Sequence, residues 1–481
     1  MKKEKRSNKV FCILIILFFI AIINLSIITI ILNNQKYIYF NKPVSWQDAY
    51  VYIYNEENEA RDNTKSFKLK QEKDYIYSIK LTDKILDKSK DISKYRIIFY
   101  SGDDERYEIK TNFEGYNKIF NIITGLGEKS FFTKGEWSDY DKNIKIGKIP
   151  TTKKKIKNII YMIGDGMGEN HILAGNIFKQ ANLNIQEIKN KCYVKTESLE
   201  SITDSAAGAT ALATGIKTQN GIIGKDKDCN DVENIIEYSY SKGLKTGVIC
   251  TQIINHATPA SFVVHNIDRN NYNEIALSEI NSCVNIMFGG GRSYFKKYED
   301  KMKANNYKWI NSIFELQSID KNDKVIGTFA EDTISMEDNR IELADLTKEA
   351  LVRLDNDKGF FLMIEGSDID YYSHKCEMNN MLVEMIDFDD AVGIAKNYVD
   401  EHSDTLLIVT ADHETGGILL DNVDSKEKLN NDLFKIQGQH TNKKVLAYAY
   451  GKGAEELTKY DIIDNTSIYK FVRQALENNN E

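Results

Sequence analysis

The residues of this chain whose types and spacing could do chemistry are histidines and carboxylates that follow short apolar runs. The chain has only 7 histidines, and three of them, His374, His413 and His440, lie near such runs. The carboxylates in the same kind of position are Asp165, Glu365, Asp370 and Asp412. Histidine with carboxylate is a typical ligand set for catalytic zinc. A single Asp of this kind is often only a helix cap, but the combined pattern favours a metal site.

A candidate nucleophile lies in the stretch TDSAAGATALATG, which contains Asp204 and Ser205. The alanine-rich run predicts a helix, so Ser205 is expected at a helix N-terminus. Free N–H groups and the helix dipole favour anions there, and both a serine alkoxide and a phosphate group are anions. The alternative is that Asp204 or Ser205 only caps the helix. Beside a metal site, the catalytic interpretation is favoured.

The elements that must position these residues are apolar strands alternating with helices. The runs KNIIYMIGD, KTGVICT, VNIMFGGG, GFFLMIEG and DTLLIVTADH end in polar residues or glycine, and helical stretches such as NNMLVEMIDFDDAVGIAKNYV separate them. This alternation predicts an α/β fold with a mostly parallel sheet covered by helices on both faces. Functional groups collect at the carboxyl ends of the strands in such sheets, which is where the candidate ligands follow.

The stretches YMIGDGMG, TDSAAGATALATG, NHATPASFVVH, EGSDIDYYSH, VTADHETGG and GQHT resemble the signature blocks of alkaline phosphatases, in the family's order. The resemblance covers roughly residues 157 to 475. It implies an alkaline phosphatase-like catalytic domain, placed at residues 153–481, that hydrolyses small phosphate monoesters through a phosphoserine. It also implies two zinc ions and a third site of the magnesium type. Relatives are commonly dimers, so a homodimer is one alternative, and the oligomeric state stays open.

The resemblance assigns the ligands residue by residue. The first zinc would be held by Asp370, His374 and His440. The second would be held by Asp165, Asp412 and His413, with Ser205 at its open position. The third site would use Asp165, Thr258 and Glu365.

The resemblance also makes Arg269 the clamp on the phosphate oxygens, oriented by Asp204. An arginine fork suits two-point contact with phosphate better than lysine does. Two positions depart from the family's pattern. His256 stands where some members have Asp and others His, and Tyr371 replaces the usual Lys or His. Both are expected near the third site, so they leave its metal open.

Two other functions compete with this interpretation. A phosphodiesterase or nucleotide pyrophosphatase of the same superfamily typically uses Thr as nucleophile and lacks the arginine clamp, so Ser205 and Arg269 argue against it. A surface glycan-binding protein with an inactive phosphatase domain is the second alternative. The net charge of −8 excludes a general nucleic-acid binder, which needs a basic surface.

The N-terminus has the pattern of a membrane anchor. Residues 1–9 are strongly basic, and residues 10–32 are almost continuously apolar. About 20 apolar residues span a bilayer, and no small-residue cleavage site follows. Residues 1–34 are therefore predicted to be a cytoplasmic tip and an uncleaved transmembrane signal anchor. Basic residues stay in the cytoplasm, so the single-pass protein is expected to carry its catalytic domain outside a bacterial-type cell.

Residues 36–140 show a different sequence pattern, in which Tyr, Ile, Val and Phe recur at every second position between charged turns. This pattern predicts a small all-β sandwich. Its opening resembles the first hairpin of starch-binding-type carbohydrate modules, in which an exposed aromatic such as Trp46 contacts sugar rings. A plain spacer is the equal alternative. The five cysteines after the anchor show no close pair, and they are predicted to be mostly buried free thiols, with one disulfide left open.

Overall fold

The fold is taken from a computed structural model of the chain. It describes residues 36–41, 48–55, 66–73, 76–82, 85, 94–100, 108–112, 118–126, 131–139, 149–334 and 340–478. The described residues form two compact units. The predicted membrane anchor and Trp46 lie outside the described residues. Within those residues, no helix has the length and apolar character needed to cross a membrane, and the anchor stays a prediction.

The strands before residue 140 belong to the first unit, except that residues 123–126 and 131–134, in the last two of these strands, are grouped with the second unit. They are β1 (Tyr37–Asn41), β2 (Tyr50–Asn55), β3 (Ser66–Lys68), β4 (Lys70–Lys73), β5 (Ile76–Lys80), β6 (Tyr95–Tyr100), β7 (Glu108–Asn112), β8 (Lys118–Leu126) and β9 (Phe131–Asp139). One sheet has the order β4-β5-β1-β8-β9, and the other has the order β3-β2-β6-β7. Most of the recorded pairs are antiparallel, and β1 with β8 is parallel.

The two sheets of the first unit share a core of apolar side chains. Phe40 of β1 stacks on Phe99 of β6 with ring centroids 4.2 Å apart. Val51 and Ile97 on neighbouring strands are also fully buried. Alternate residues of a strand point to opposite faces, so the period-two pattern of the sequence produces this buried inner face.

The second unit contains twelve strands among the described residues. They are β10 (Asn158–Gly164), β11 (Asn190–Lys195), β12 (Lys245–Ile253), β13 (Ile286–Gly290), β14 (Tyr307–Ile310), β15 (Lys324–Thr328), β16 (Phe360–Gly366), β17 (Thr405–Thr410), β18 (Glu414–Thr415), β19 (His440–Thr441), β20 (Val445–Gly451) and β21 (Ile462–Asp464).

The α-helices of this unit connect and flank the strands. They are α1 (Glu169–Lys179), α2 (Ser205–Thr214), α3 (Ile235–Ser241), α4 (Ala257–Val263), α5 (Tyr272–Ile280), α6 (Arg292–Phe295), α7 (Glu299–Ala304), α8 (Ile313–Ser318), α9 (Leu343–Leu354), α10 (Asp368–His374), α11 (Met378–Glu401), α12 (Ala454–Leu457) and α13 (Asn465–Glu477). Short 3₁₀ turns lie at Asn184–Glu187, Lys296–Tyr298, Lys426–Lys428 and Asn431–Leu433.

Ten of these strands form one sheet, in the order β14-β15-β13-β12-β16-β10-β17-β20-β11-β21. Only β20 runs against the others, because it pairs antiparallel with both β17 and β11. Every residue of β10, β16 and β17 is buried, which requires cover on both faces. The predicted mostly parallel α/β sheet is therefore confirmed, with one antiparallel strand inside it.

The cysteines differ partly from the prediction. Cys192, Cys229, Cys250, Cys283 and Cys376 are all free. Cys192 and Cys250 are buried, as expected. Cys229 is exposed because it lies in a surface turn with a left-handed backbone, at φ 63°. Cys283 and Cys376 are partly buried, so these five cysteines are free as predicted, but only two of them are buried.

Candidate functional site

Four neighbouring strands at the centre of the sheet deliver the candidate residues to one edge. In sheet order they are β12, β16, β10 and β17, and all four are parallel. Asp165 follows β10, Glu365 lies at the end of β16, and Asp412 follows β17. His256 follows β12 and is the N-cap residue of α4. Parallel strands end at the same edge, so residues far apart in sequence meet there.

The first cluster consists of Asp370, His374 and His440. The Nε2 atom of His374 lies 3.1 Å from Asp370 Oδ2, and the Nε2 atoms of the two histidines lie 3.0 Å apart. His374 Nδ1 contacts Gly438 O, and His440 Nδ1 lies 2.8 Å from Thr203 O. A carbonyl oxygen only accepts, so both rings carry a proton on Nδ1.

The position of these protons determines which nitrogen atoms of the first cluster are free to bind a cation. When both rings are neutral with Nδ1 protonated, the Nε2 lone pairs of His374 and His440 point toward each other and toward Asp370. Lone pairs at that distance repel unless a cation lies between them. Metal-ligating histidines usually donate their other ring N–H to a carbonyl or carboxylate, as these rings do. The donor set therefore fits a metal ion.

The second cluster is fully buried and consists of Asp165, Asp412 and His413. His413 Nε2 lies 3.2 Å from Asp412 Oδ2 and 3.4 Å from Asp165 Oδ1. The same nitrogen lies 3.2 Å from Ser205 Oγ. Neither Asp165 Oδ1 nor Asp412 Oδ2 has a hydrogen-bond partner among the described residues. Buried carboxylate oxygens without partners are costly, and a metal ion would supply the missing interaction.

The third cluster groups Asp165 with His256 and Glu365. Thr258 joins it, since its hydroxyl donates to Asp165 Oδ2 over 3.3 Å. Both carboxylate oxygens of Glu365 and the Nδ1 atom of His256 are buried and lack a partner in the described part of the chain. Carboxylates, a hydroxyl and a single imidazole form an oxygen-rich set that suits a hard cation.

The pKa shifts of the carboxyl groups in the clusters also favour bound cations. Burial, with repulsion from Asp412 and other carboxylates, raises the pKa of Asp165 well above its ordinary value. Burial also raises the pKa of Glu365 to about 8, and burial with Asp370 raises the pKa of Asp412 to about 7. Burial opposes ionisation of Asp370 too, but its hydrogen bond with His374 and the neighbouring rings lower its pKa overall. Such carboxyl groups exchange protons for a bound cation.

Ser205 is the first residue of α2, and Asp204 is its cap. The Asp204 carboxylate accepts from the backbone N–H of Ala207 over 2.9 Å, so the capping role falls on Asp204 alone. Ser205 is left with its hydroxyl buried beside His413. The helix dipole places partial positive charge at this end, which favours an ionised serine oxygen.

Arg269 is held by two neighbours. Its Nη1 donates to Asp204 Oδ2 over 3.0 Å, and its Nη2 lies 3.3 Å from His256 Nε2. The arginine backbone N–H donates to Gly221 O, and Gly221 N–H in turn donates to Asp204 Oδ2. Arg269, the predicted phosphate clamp, is thus fixed beside Asp204, the residue predicted to orient it. Burial, with Arg269 adding repulsion, lowers the pKa of His256 to about 3, so this ring is neutral.

The structure does not bring every predicted residue into a cluster. The hydroxyl of Tyr371 accepts from Lys375 Nζ over 2.6 Å, and its ring contacts Tyr372. Within the described part of the chain, its side chain contacts these two residues rather than the third cluster. Sequence reasoning also missed Thr415 and Gly221, whose hydrogen bonds link residues distant in sequence. No local spacing signals such a contact.

Fold and site together define an α/β protein with three adjoining metal-type clusters at the carboxyl edge of its sheet. The chain belongs to the alkaline phosphatase family, whose model matches residues 156–467. It is 36% identical over 293 residues to alkaline phosphatase 4 of Bacillus subtilis, covering 56% of this chain and 63% of that relative. It is 30% identical over 331 residues to the alkaline phosphatase of Escherichia coli, covering 54% and 70%.

Solved structures agree with this family. The alkaline phosphatase of the Antarctic bacterium TAB5 is 34% identical and superposes with a TM-score of 0.62, covering 67% of this chain and 98% of that one. A variant of the TAB5 enzyme, with one histidine replaced by aspartate, contains magnesium in a site named M3. The chain thus spans about 63% of the length of the Bacillus relative but nearly the whole TAB5 chain. The resemblance of the first unit to a carbohydrate module is not confirmed by these comparisons.

Proposed function

We propose that the chain hydrolyses phosphate monoesters to an alcohol and inorganic phosphate, through a phosphoserine at Ser205. The observation that carries this proposal is the position of the Ser205 hydroxyl. It lies at the N-terminus of α2, 3.2 Å from His413 Nε2, and beside the residue that anchors Arg269. A nucleophile, a phosphate clamp and two metal-type clusters are the parts that phosphoryl transfer requires.

The residues of the chain would act in order. Ser205 Oγ loses its proton, attacks phosphorus and forms the phosphoserine, while the bond from phosphorus to the ester oxygen breaks and that oxygen takes up a proton and leaves as the alcohol. Arg269 binds two phosphate oxygens with its planar fork, and Asp204 keeps that fork oriented. Water then attacks the phosphoserine from the opposite side, which releases phosphate and returns the proton to Ser205. The positive end of α2 stabilises the negative charge throughout.

The metals of the proposal are two zinc ions and one magnesium ion. The first zinc fits Asp370, His374 and His440, and the second fits Asp165, Asp412 and His413. Bound there, zinc would lower the pKa of the serine hydroxyl and stabilise the negative leaving oxygen. The third cluster, with Thr258 and Glu365, would hold magnesium, as the M3 site of the TAB5 variant does. His256 leaves the identity of this third metal open.

The test is Ser205→Ala assayed with a chromogenic phosphate monoester. We expect turnover to disappear while zinc content and circular dichroism stay unchanged, because only the attacking oxygen is lost. Ser293→Ala, at an exposed position of α6, is the matched control and should keep full activity. Acid quenching of the wild-type enzyme should trap phosphate on Ser205, seen by mass spectrometry. Activity of Ser205→Ala within a few-fold of wild type contradicts the serine mechanism.

The same assay separates the alternatives. A chromogenic phosphodiester should react far more slowly than the monoester, because the proposed fork of Arg269 binds two free phosphate oxygens and a second ester group would block one of them. Faster hydrolysis of the diester would identify a phosphodiesterase. No hydrolysis of either compound by the zinc-loaded protein would leave a binding protein with an inactive catalytic unit.

Location and partners are proposed as predicted from the sequence. The protein would be anchored by one N-terminal helix with its catalytic unit outside the cell, and it would form a homodimer. Protease added to intact cells should release an active soluble fragment. Activity released only after lysis would reverse the proposed location.

A further inference from the structure

Thr415 is a fully buried residue of β18 that contacts residues of both the first and the second cluster. Its hydroxyl donates to Asp370 Oδ1 over 2.5 Å, and the same oxygen lies 3.2 Å from His413 Nδ1. Its backbone is fixed from two sides. The N–H of Thr415 donates to Gly166 O over 3.0 Å, and Thr415 pairs with His440 across the two-stranded ladder of β18 and β19.

The direction of these two hydrogen bonds follows from the number of protons. A threonine hydroxyl has one proton and two lone pairs. The carboxylate of Asp370 acts as a ligand only when ionised and therefore only accepts, so it takes the Thr415 proton. The remaining lone pair of Thr415 must accept from His413 Nδ1–H. His413 then presents a bare Nε2 lone pair to Asp165, Asp412 and Ser205.

We propose that Thr415 is the residue that positions the ligands of both proposed zinc sites at once, by fixing the Nδ1–H tautomer of His413 and the orientation of the Asp370 carboxylate. This inference rests on the proposed function, since it concerns the same metal sites. It makes the two sites a coupled pair, because one hydroxyl serves a ligand of each.

The backbone next to Asp165 packs closely against the hydroxyl of Thr415. Gly166 has a left-handed backbone at φ 69°, and a Cβ placed there would lie 2.8 Å from Thr415 Oγ1 and 2.7 Å from Asp370 Oδ1. Glycine at this position is therefore required by the conformation and by the close approach of the Thr415–Asp370 pair. The chain after β10 thus leaves just enough space for this hydrogen bond.

The test is Thr415→Val, which keeps the shape of the side chain and removes its hydroxyl, with Thr415→Ser as the control that keeps it. Metal-free full-length protein is titrated with Co²⁺, and the visible absorption of the bound ion is followed. Loss of such a hydrogen bond to metal ligands typically weakens binding 10- to 100-fold. We expect a loss of that order in Thr415→Val, for both ions, with altered spectra. Thr415→Ser should bind and absorb like wild type.

The outcomes separate the two proposals. Wild-type protein that binds no Co²⁺ would contradict the proposed function itself. Wild-type binding of two ions that Thr415→Val leaves unchanged in affinity and spectrum would contradict only the role of Thr415. A purely structural role would lower the melting temperature of the metal-free variant without changing its cobalt spectrum, and this result also overturns the inference.

A second measurement is independent of whether Thr415→Val folds. Nitrogen-15 NMR of histidine rings in the zinc-loaded wild-type protein should show His413 protonated on Nδ1 and bound to the metal through Nε2. The Thr415→Ser protein should show the same state. A His413 ring bound through Nδ1 would overturn the inference.

Discussion

The two units of this chain are both built on β-sheets, but among the described residues the metal-type clusters lie in the second unit. In the first unit, Phe40 and Phe99 stack within a core formed by the inner faces of two sheets. In the second unit, four parallel strands end beside one another, and each is followed by, or ends in, a residue of a cluster. The direction of the strands explains where the cluster residues lie in the second unit. Parallel strands bring their carboxyl ends to one edge, where loops can carry ligands.

Burial separates these ligands from ordinary surface carboxylates. Asp165, Asp412 and His413 are at most 1% exposed, and two of their oxygen atoms have no partner within the described ranges. A fold that buries such groups must compensate their lost hydration. The first unit needs no such compensation, because its described core side chains are mostly apolar. If chemistry is confined to the second unit, changes to its clusters should abolish activity, and loss of the first unit should not.

The largest effect is expected for His413→Ala. This change removes the nitrogen ligand of the second cluster and the neighbour of Ser205, so kcat for the monoester should fall at least 10²- to 10³-fold, the scale of losing one transition-state stabilising group. Zinc content should fall by about one ion per chain, measured by elemental analysis. His265→Ala is the matched control, because His265 hydrogen-bonds Glu237 away from the clusters. Retained zinc and activity in His413→Ala would remove the second cluster from the mechanism.

A smaller effect is expected for Arg269→Lys. Lysine keeps the charge but loses the fork that contacts Asp204 on one side and is proposed to bind phosphate on the other. Hydrogen bonds to charged groups contribute about 1.5–3 kcal/mol, so kcat/KM should fall about 10- to 100-fold. Inhibition by inorganic phosphate should weaken in parallel. Arg292→Lys, whose guanidinium pairs with Glu331 and donates to Thr328 O outside the clusters, should leave both unchanged. An equal loss in the two variants would mean that arginine at position 269 has no special role.

Much of this arrangement could be predicted from the sequence. The runs around Asp165, Glu365 and Asp412 are apolar, end in polar residues and form buried parallel strands as expected. The helix after Asp204 follows from its alanine content. The contacts of Thr415 and Gly221 could not be predicted, because they join residues far apart in the chain through side-chain and backbone hydrogen bonds. The pairing of His440 with Thr415 is likewise a product of the fold, since a two-residue strand has no periodicity to detect.

The pH dependence of stability should distinguish the metal-free from the zinc-loaded protein. The folded-state pKa values of Glu365 and Asp412 are about 8 and about 7, against ordinary values of 4.5 and 3.8. Between about pH 4 and pH 8 these two groups therefore hold more protons in the folded state than in the unfolded state, and their contribution to stability falls as pH rises. The melting temperature of metal-free protein should be several degrees lower at pH 8.5 than at pH 6.

Zinc should reverse this trend, because metal binding displaces the same protons and strengthens as pH rises. The rise in melting temperature caused by zinc should be larger at pH 8.5 than at pH 6, measured by calorimetry. Glu365→Gln removes one of the acids, and its metal-free form should show a shallower dependence. A metal-free protein that becomes more stable as pH rises over this range would show that the carboxyl groups are not held protonated in the fold.

The smallest effect is expected from deleting residues 36–140. All cluster residues lie after this segment, and the first unit has its own apolar core, so kcat and KM for a small soluble monoester should stay within about twofold of the longer protein. The comparison uses two soluble proteins, one beginning at residue 36 and one at residue 153, loaded equally with zinc. A large loss of kcat with normal zinc content would mean that the segment belongs to the catalytic unit, and the predicted boundary would be wrong.

The same pair of proteins decides what the first unit adds. If it is a carbohydrate module, the longer protein should be retained on insoluble starch or another polysaccharide, while the protein beginning at residue 153 should pass through. Trp46→Ala should abolish retention without changing kcat, because an aromatic ring stacks on sugar through its face and has no part in phosphate chemistry. Hydrolysis of a phosphorylated polysaccharide should then fall on deletion, although hydrolysis of the small monoester does not. Passage of both proteins through every polysaccharide tested would identify the first unit as a spacer, and the difference between the two units would then be one of chemistry alone.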